Sequence, residues 1–161
     1  MFERFTEHAR NVIGLAQREA QRFGNEYVGT EHLLWGLAKE NHGVAAATLA
    51  HFQVDLKPLR KEVEALLDQR PHVEEVEKLP ESAKAKDVIA HAVEEARAMN
   101  HNFVGTEHLL LGLLRDPESV AGQVLMKLGL QLDPVREAVR EIAGRQHSAS
   151  ADAAKRSNHN G

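Results

Sequence analysis

The chain has 161 residues, 42% of them hydrophobic, 27% charged and none cysteine, and 24 acids against 20 bases give a formal net charge of −4. Without cysteine there is no disulfide framework, no cysteine-ligated zinc and no thiol nucleophile. The charge balance supplies no basic stripe for nucleic acid, and no run approaches the ~20 apolar residues of a membrane span.

Met1-Phe2-Glu3-Arg4-Phe5 places charges where a signal peptide needs an apolar run. The expected location is therefore the cytoplasm. Thr6 reads as an N-cap, followed by Ala9, Val12, Ile13, Ala16 and Ala20 at three- and four-residue steps. Gly24 stands where a left-handed C-terminal cap belongs. Thr30 is expected to cap a second helix carrying Leu33, Leu34 and Leu37 inward. Gly43 precedes a short third helix, and Asp55 opens a fourth with Leu56, Leu59, Val63, Leu66 and Leu67 on one face. Pro58 falls in that helix's first turn, where a missing N–H costs little. Residues 69–81, with Pro71, Pro80 and the acidic run Glu74-Glu75-Val76-Glu77, read as a solvated connector. Four further helices are expected over 82–99, 106–115, 120–128 and 133–142. From His147 the chain turns to Ser, Ala, Asn and His without apolar periodicity, so 147–161 is expected to be a disordered tail.

The second set of helices repeats the first. Tyr27-Val28-Gly29-Thr30-Glu31-His32-Leu33-Leu34-Trp35-Gly36-Leu37 returns as Phe103-Val104-Gly105-Thr106-Glu107-His108-Leu109-Leu110-Leu111-Gly112-Leu113. The same offset aligns Glu19 with Glu95, Val44 with Val120, Pro58 with Pro134 and Arg60 with Arg136, and no gap is needed from Thr6 to Ala143. No alternating β-branched run suggests a strand. Four short helices alone bury too little surface. The expected fold is therefore all-α: two four-helix repeats, about 2–69 and 80–145, related by a pseudo-twofold and forming one eight-helix globular domain over 1–146.

Phe2 to Ala9 and the two Gly-Thr-Glu-His-Leu-Leu-x-Gly-Leu segments resemble the Clp repeat, the N-terminal domain of ClpC/ClpA-type AAA+ unfoldases. The likeness covers about residues 2 to 145. It implies a domain that receives substrates and adaptors for an ATP-driven unfoldase and its protease. The chain itself has no Gly-Lys-Ser or Gly-Lys-Thr, hence no phosphate-cradling Walker loop. The composition of its tail favours a free-standing protein over a fragment.

The resemblance further implies recognition of phosphoarginine. An acid pairs with the guanidinium while helix N-terminal donors meet the phosphate. The matching acids are Glu31 and Glu107, the matching hydroxyls Thr6 and Ser82, and pockets are expected at Thr6/Glu31 and Ser82/Glu107. Each residue also has a purely structural reading: the hydroxyls as N-caps, and the acids as favoured first-turn residues. His32 and His108 lack the further ligands a metal needs and read as buried or capping histidines. Trp35, where the repeat has Leu111, reads as a core or groove residue. No catalytic residue, cofactor or metal is assigned. An enzymatic reading requires Glu and His side chains converging in one pocket with shifted acidities.

The leading function is a non-enzymatic binding module of the Clp proteolysis system. Its partners would be Clp unfoldase or protease subunits, adaptor proteins or protein substrates, with no nucleic acid and no membrane. The alternative is an accessory subunit that stabilises or regulates assembly of the protease.

Overall fold

The computed structural model describes residues 4–67 and 78–159, with side chains as far as 145. Among the described residues there are eight helices and no strand. They are α1 (Glu7–Arg22), α2 (Thr30–Glu40), α3 (Val44–His51), α4 (Leu56–Leu66), α5 (Ala83–Ala98), α6 (Thr106–Leu114), α7 (Val120–Lys127) and α8 (Leu132–His159). The expected all-α fold of two four-helix repeats is the one observed.

The caps follow the sequence closely. Thr6 and Ser82 adopt the same extended backbone, and their hydroxyls accept from Ala9 N and Ala85 N, each at 3.1 Å. Gly24 is left-handed at φ 67, and Asn100 stands in for it in the second repeat at φ 58. Within each repeat the first two helices pack as an antiparallel hairpin, α1 on α2 and α5 on α6. One core runs through both halves, from Phe5 to Val139. All nine residues of α6 are buried, as expected of a helix apolar nearly all round.

The halves are joined reciprocally, as a pseudo-twofold requires. Val104 N donates to Arg4 O (2.8 Å) and Thr6 N to Val104 O (2.9 Å). In the mirror position Val28 N donates to Pro80 O and Ser82 N to Val28 O, both at 2.9 Å. Each half thus lends the other the strand-like residue ahead of its hairpin.

Three expectations change. Thr30 does not cap α2: Gly29 is the N-cap, and the Thr30 hydroxyl accepts from Ala121 N of α7 (3.3 Å). Thr106 does the same for Ala45 N of α3 (3.1 Å). Both threonines are first-turn residues facing the other repeat, so their hydroxyls reach a neighbouring helix end. Leu66 is 54% exposed rather than inward, at the last residue of α4. At the described end of the connector Lys78 and Pro80 are exposed, but one residue turns inward. Leu79 is buried, and its backbone exchanges two hydrogen bonds with the Gln17 amide (2.7 and 2.9 Å). Connector residues 69–77 lie outside the described residues. The α8 backbone is helical to His159. Ala149, Ala151, Ala153 and Ala154 favour helix without needing a core.

Hairpin packing explains the glycine of the repeated motif. A Cβ at Gly36 would lie 2.6 Å from Val12 O, and one at Gly112 would lie 2.6 Å from Val88 O. The helices of each hairpin are therefore in backbone contact at their crossing. Gly36→Ala should lower stability by about 1–3 kcal/mol through overpacking, despite alanine's better helix propensity. Gly144→Ala in α8, with nothing within 4 Å of the new Cβ, should raise it by roughly 0.5–1 kcal/mol. Urea midpoints compare the two; a shift of the same sign in both would refute the contact argument.

Candidate functional site

The motif Gly-Thr-Glu-His starts a helix that points into the core, so its polar groups must find partners inside the protein. Histidine solves the first problem. Gly29 N donates to His32 Nδ1 and Gly105 N donates to His108 Nδ1, each at 2.8 Å. A backbone N–H can only donate, so in both rings Nδ1 is bare and Nε2 carries the hydrogen. His32 Nε2 donates to Asn25 Oδ1 (2.8 Å) and His108 Nε2 donates to His101 Nδ1 (2.8 Å). Burial pushes His32 down to about 4. Burial and the neighbouring His101 push His108 down to about 3. Both are neutral capping histidines, as the sequence indicated.

The glutamate of each motif curls back over the preceding glycine. A Cβ at Gly29 would collide with the Glu31 carboxylate, and one at Gly105 with that of Glu107. Glu31 Oε1 is 3.5 Å from His32 Nδ1, yet this is no ion pair, because that nitrogen carries no proton at neutral pH. The charge of Glu31 is left for something else.

The structure groups the four expected site residues crosswise. Ser82 bonds Val28 and lines one cavity with Glu31, while Thr6 bonds Val104, three residues ahead of Glu107. The expected pairs Thr6/Glu31 and Ser82/Glu107 are corrected to Ser82/Glu31 and Thr6/Glu107. The repeat places equivalent residues in equivalent settings, but each setting is built from both halves.

The two settings differ in access. A cavity of about 670 Å³ opens at Glu31, whose side chain is 23% exposed. It is lined by the starts of α2 (Gly29 to His32), α5 (Ser82 to Lys84) and α7 (Ser119, Val120). Three positive helix ends meet there. Ser82 caps Ala85 N, leaving the N–H groups of Ala83 and Lys84 without a partner among the described residues. A phosphate can be held by those donors while a cation meets Glu31. Glu107 is only 2% exposed. Burial raises its carboxyl to about 7 against the opposing pull of its own backbone N–H. Sequence reasoning missed the α7 contribution, Ser119 and Val120, and the Asn25 that orients His32. Trp35 is a core residue, with Nε1 donating to Glu64 Oε1 (3.0 Å). Among the described residues no cluster of acids and histidines has metal-binding geometry.

Comparison with known proteins agrees with this architecture. The family model described as the Clp repeat N-terminal domain matches residues 4–128 and again 81–159. The ClpC/MecB protein of Bacillus subtilis, a negative regulator of genetic competence, is 41% identical over 99% of this chain. That alignment covers 20% of the relative, so the chain spans about a fifth of its length. The N-terminal domain of the Arabidopsis thaliana chaperone ClpD superposes with TM-score 0.66 at 30% identity, covering 86% of this chain and 94% of that one. The ClpV N-domain, solved in complex with a VipB peptide, superposes with TM-score 0.70 at 12% identity, covering 86% and 84%.

The buried ionisable groups act on stability in opposite directions. Each histidine binds fewer protons folded than unfolded, so its contribution is complete above pH 6.5 and is lost as the pH falls toward 4 or 3. Glu107 binds its proton more tightly when folded. Its contribution is complete below pH 4.5 and is lost as the pH rises through about 7. Glu107→Gln should therefore stabilise the protein at pH 8, on the order of 3 kcal/mol, and change little at pH 4. Urea unfolding at the two pH values measures this; an equal effect at both would refute a protonated Glu107.

Proposed function

Since the chain belongs to the Clp repeat N-terminal domain family, we propose that it is a receptor for protein substrates or adaptors of a cytoplasmic Clp proteolysis system. It captures them through phosphoarginine at the Glu31/Ser82 cavity. The observation that carries the reading is the charge of Glu31, unneutralised by His32, in one cavity with the starts of three helices. That pairing suits a ligand carrying a guanidinium and a phosphate on the same side chain. A point cation or a simple anion uses only half of it. The same fold in ClpV holds a VipB peptide, so peptide capture is a use this architecture admits.

The mechanism is binding and release. The guanidinium displaces water from Glu31, and the phosphate takes the first-turn N–H groups of α5. Any energy for unfolding comes from a partner. Ser82 keeps the α5 start in shape rather than contacting the ligand through its capping lone pair. Glu107 is the lesser site, because a ligand there must first uncover the carboxyl and displace its proton.

Calorimetric titration with free phosphoarginine should show saturable binding. Glu31→Ala should weaken it by about 10- to 100-fold, the range for a lost charge-assisted hydrogen bond. Glu107→Ala should change it less than threefold. A flat wild-type titration would refute the ligand, and an unchanged affinity in Glu31→Ala would refute its placement. An accessory role in protease assembly instead demands binding to the protease ring without any phosphoarginine.

A further inference from the structure

The cavity at Glu31 has an apolar side that the phosphoarginine reading does not use. Among the described residues the exposed large hydrophobic side chains are Tyr27, Leu66, Val120, Met126 and Leu128. The first three all line this one cavity, at 55%, 54% and 42% exposure.

The pseudo-symmetry provides an internal control. The counterparts of Tyr27 and Val120 in the other half are Phe103 and Val44, both only half-buried or better covered. The counterpart of Leu66 is Ile142, which is 8% exposed. The reason lies in the helices. In the closed setting α8 lies along α3, and Ile142 of α8 is buried. The equivalent pair, α4 and α7, has no comparable contact among the described residues. At the solvent edge Lys127 Nζ of α7 lies 3.5 Å from Glu62 Oε1 of α4. A cleft remains between the end of α4 and the start of α7, floored by Leu66, Leu67 and Val120.

This cleft is continuous with the polar end of the cavity. A peptide anchored at Glu31 by one side chain must therefore lay its neighbouring residues over the apolar floor, since successive residues are at most ~3.6 Å apart. We propose that the α4–α7 cleft selects the residues beside the marked arginine, favouring large apolar side chains over small polar ones. This rests on the phosphoarginine reading and adds a sequence preference to it.

The test uses two pentapeptides with central phosphoarginine, flanked by leucine or by serine, and free phosphoarginine as reference. In fluorescence anisotropy the leucine peptide should bind about tenfold tighter than the serine peptide. In Leu66→Ser, at the end of α4 and apart from the helix starts assigned to the phosphate, most of the leucine advantage should vanish. Affinity for free phosphoarginine should stay as in the wild type, which also shows that the variant is folded. Equal wild-type affinities for the leucine and serine peptides would overturn the cleft while leaving the phosphoarginine site standing. A leucine preference that survives the substitution undiminished would also overturn it. A wild-type dimer that the substitution dissociates would assign the cleft to a second copy and overturn the peptide assignment. Failure of all three probes to bind would overturn both readings.

Discussion

The structure depends on the burial of two helices. α2 and α6 carry Leu33, Leu34 and Leu37, and Leu109, Leu110, Leu111 and Leu113, all nearly inaccessible. Neither repeat has enough helix to surround its own copy, so each half closes over the other's. Placing a helix at the centre also places its first turn there, with three or four N–H groups that no i−4 carbonyl can satisfy. The motif resolves this one residue at a time. Histidine at the third position takes the N-cap N–H, and threonine at the first position caps a helix of the opposite repeat. Glycine ahead of them leaves room for the glutamate. Once these demands are met, the glutamates part company: Glu107 is buried against its own backbone N–H, while Glu31 faces a cavity. The candidate site is thus the residue of a packing problem.

Much of this was legible in the sequence because it is local. Helix starts at Thr6, Gly43, Asp55 and Ser82, the left-handed Gly24, the capping role of the histidines and the duplication itself need only near neighbours or an offset. What could not be read was which residues meet. A repeat aligns equivalents, and Thr6 with Glu31 is the natural grouping along the chain. Yet the bond from Thr6 N goes to Val104, a contact between halves that no spacing encodes. The hydroxyls of Thr30 and Thr106 misled for the same reason. Threonine before an apolar run is a good cap in isolation, and only the neighbouring half shows that it caps a different helix.

The two halves have kept one fold while parting in chemistry. Asn25 in the first half is His101 in the second, and both accept from the capping histidine. Asparagine keeps that position uncharged at every pH, whereas a second histidine adds to the downward push on His108. Glu31 stands at the mouth of a cavity while Glu107 is sealed. A sealed carboxyl raised to about 7 is half protonated near neutrality, a poor partner for a guanidinium. Duplication has therefore not produced two equal settings: each is built from both halves, and one is open while the other is closed.

How the closing helices are held follows from a second repeated acid. Glu95 on α5 is buried, and Arg136 of α8 grips it with two hydrogen bonds of 2.7 and 3.1 Å. That fork ties α8 to the hairpin, and α8 in turn lies on α3. In the first half the equivalent residues are Glu19 and Arg60, and they do not pair. Glu19 is equally buried and pushed upward by that burial. It has only Arg22 of its own helix at 3.5 Å, and one oxygen without a hydrogen bond. α4 therefore lacks the polar clamp that fixes α8, and rests on Leu59, Val63 and the Trp35–Glu64 bond. The closing helices of the two repeats are thus held by different means: α8 by a charged fork onto a buried acid together with its packing on α3 and α6, and α4 by its packing on α2.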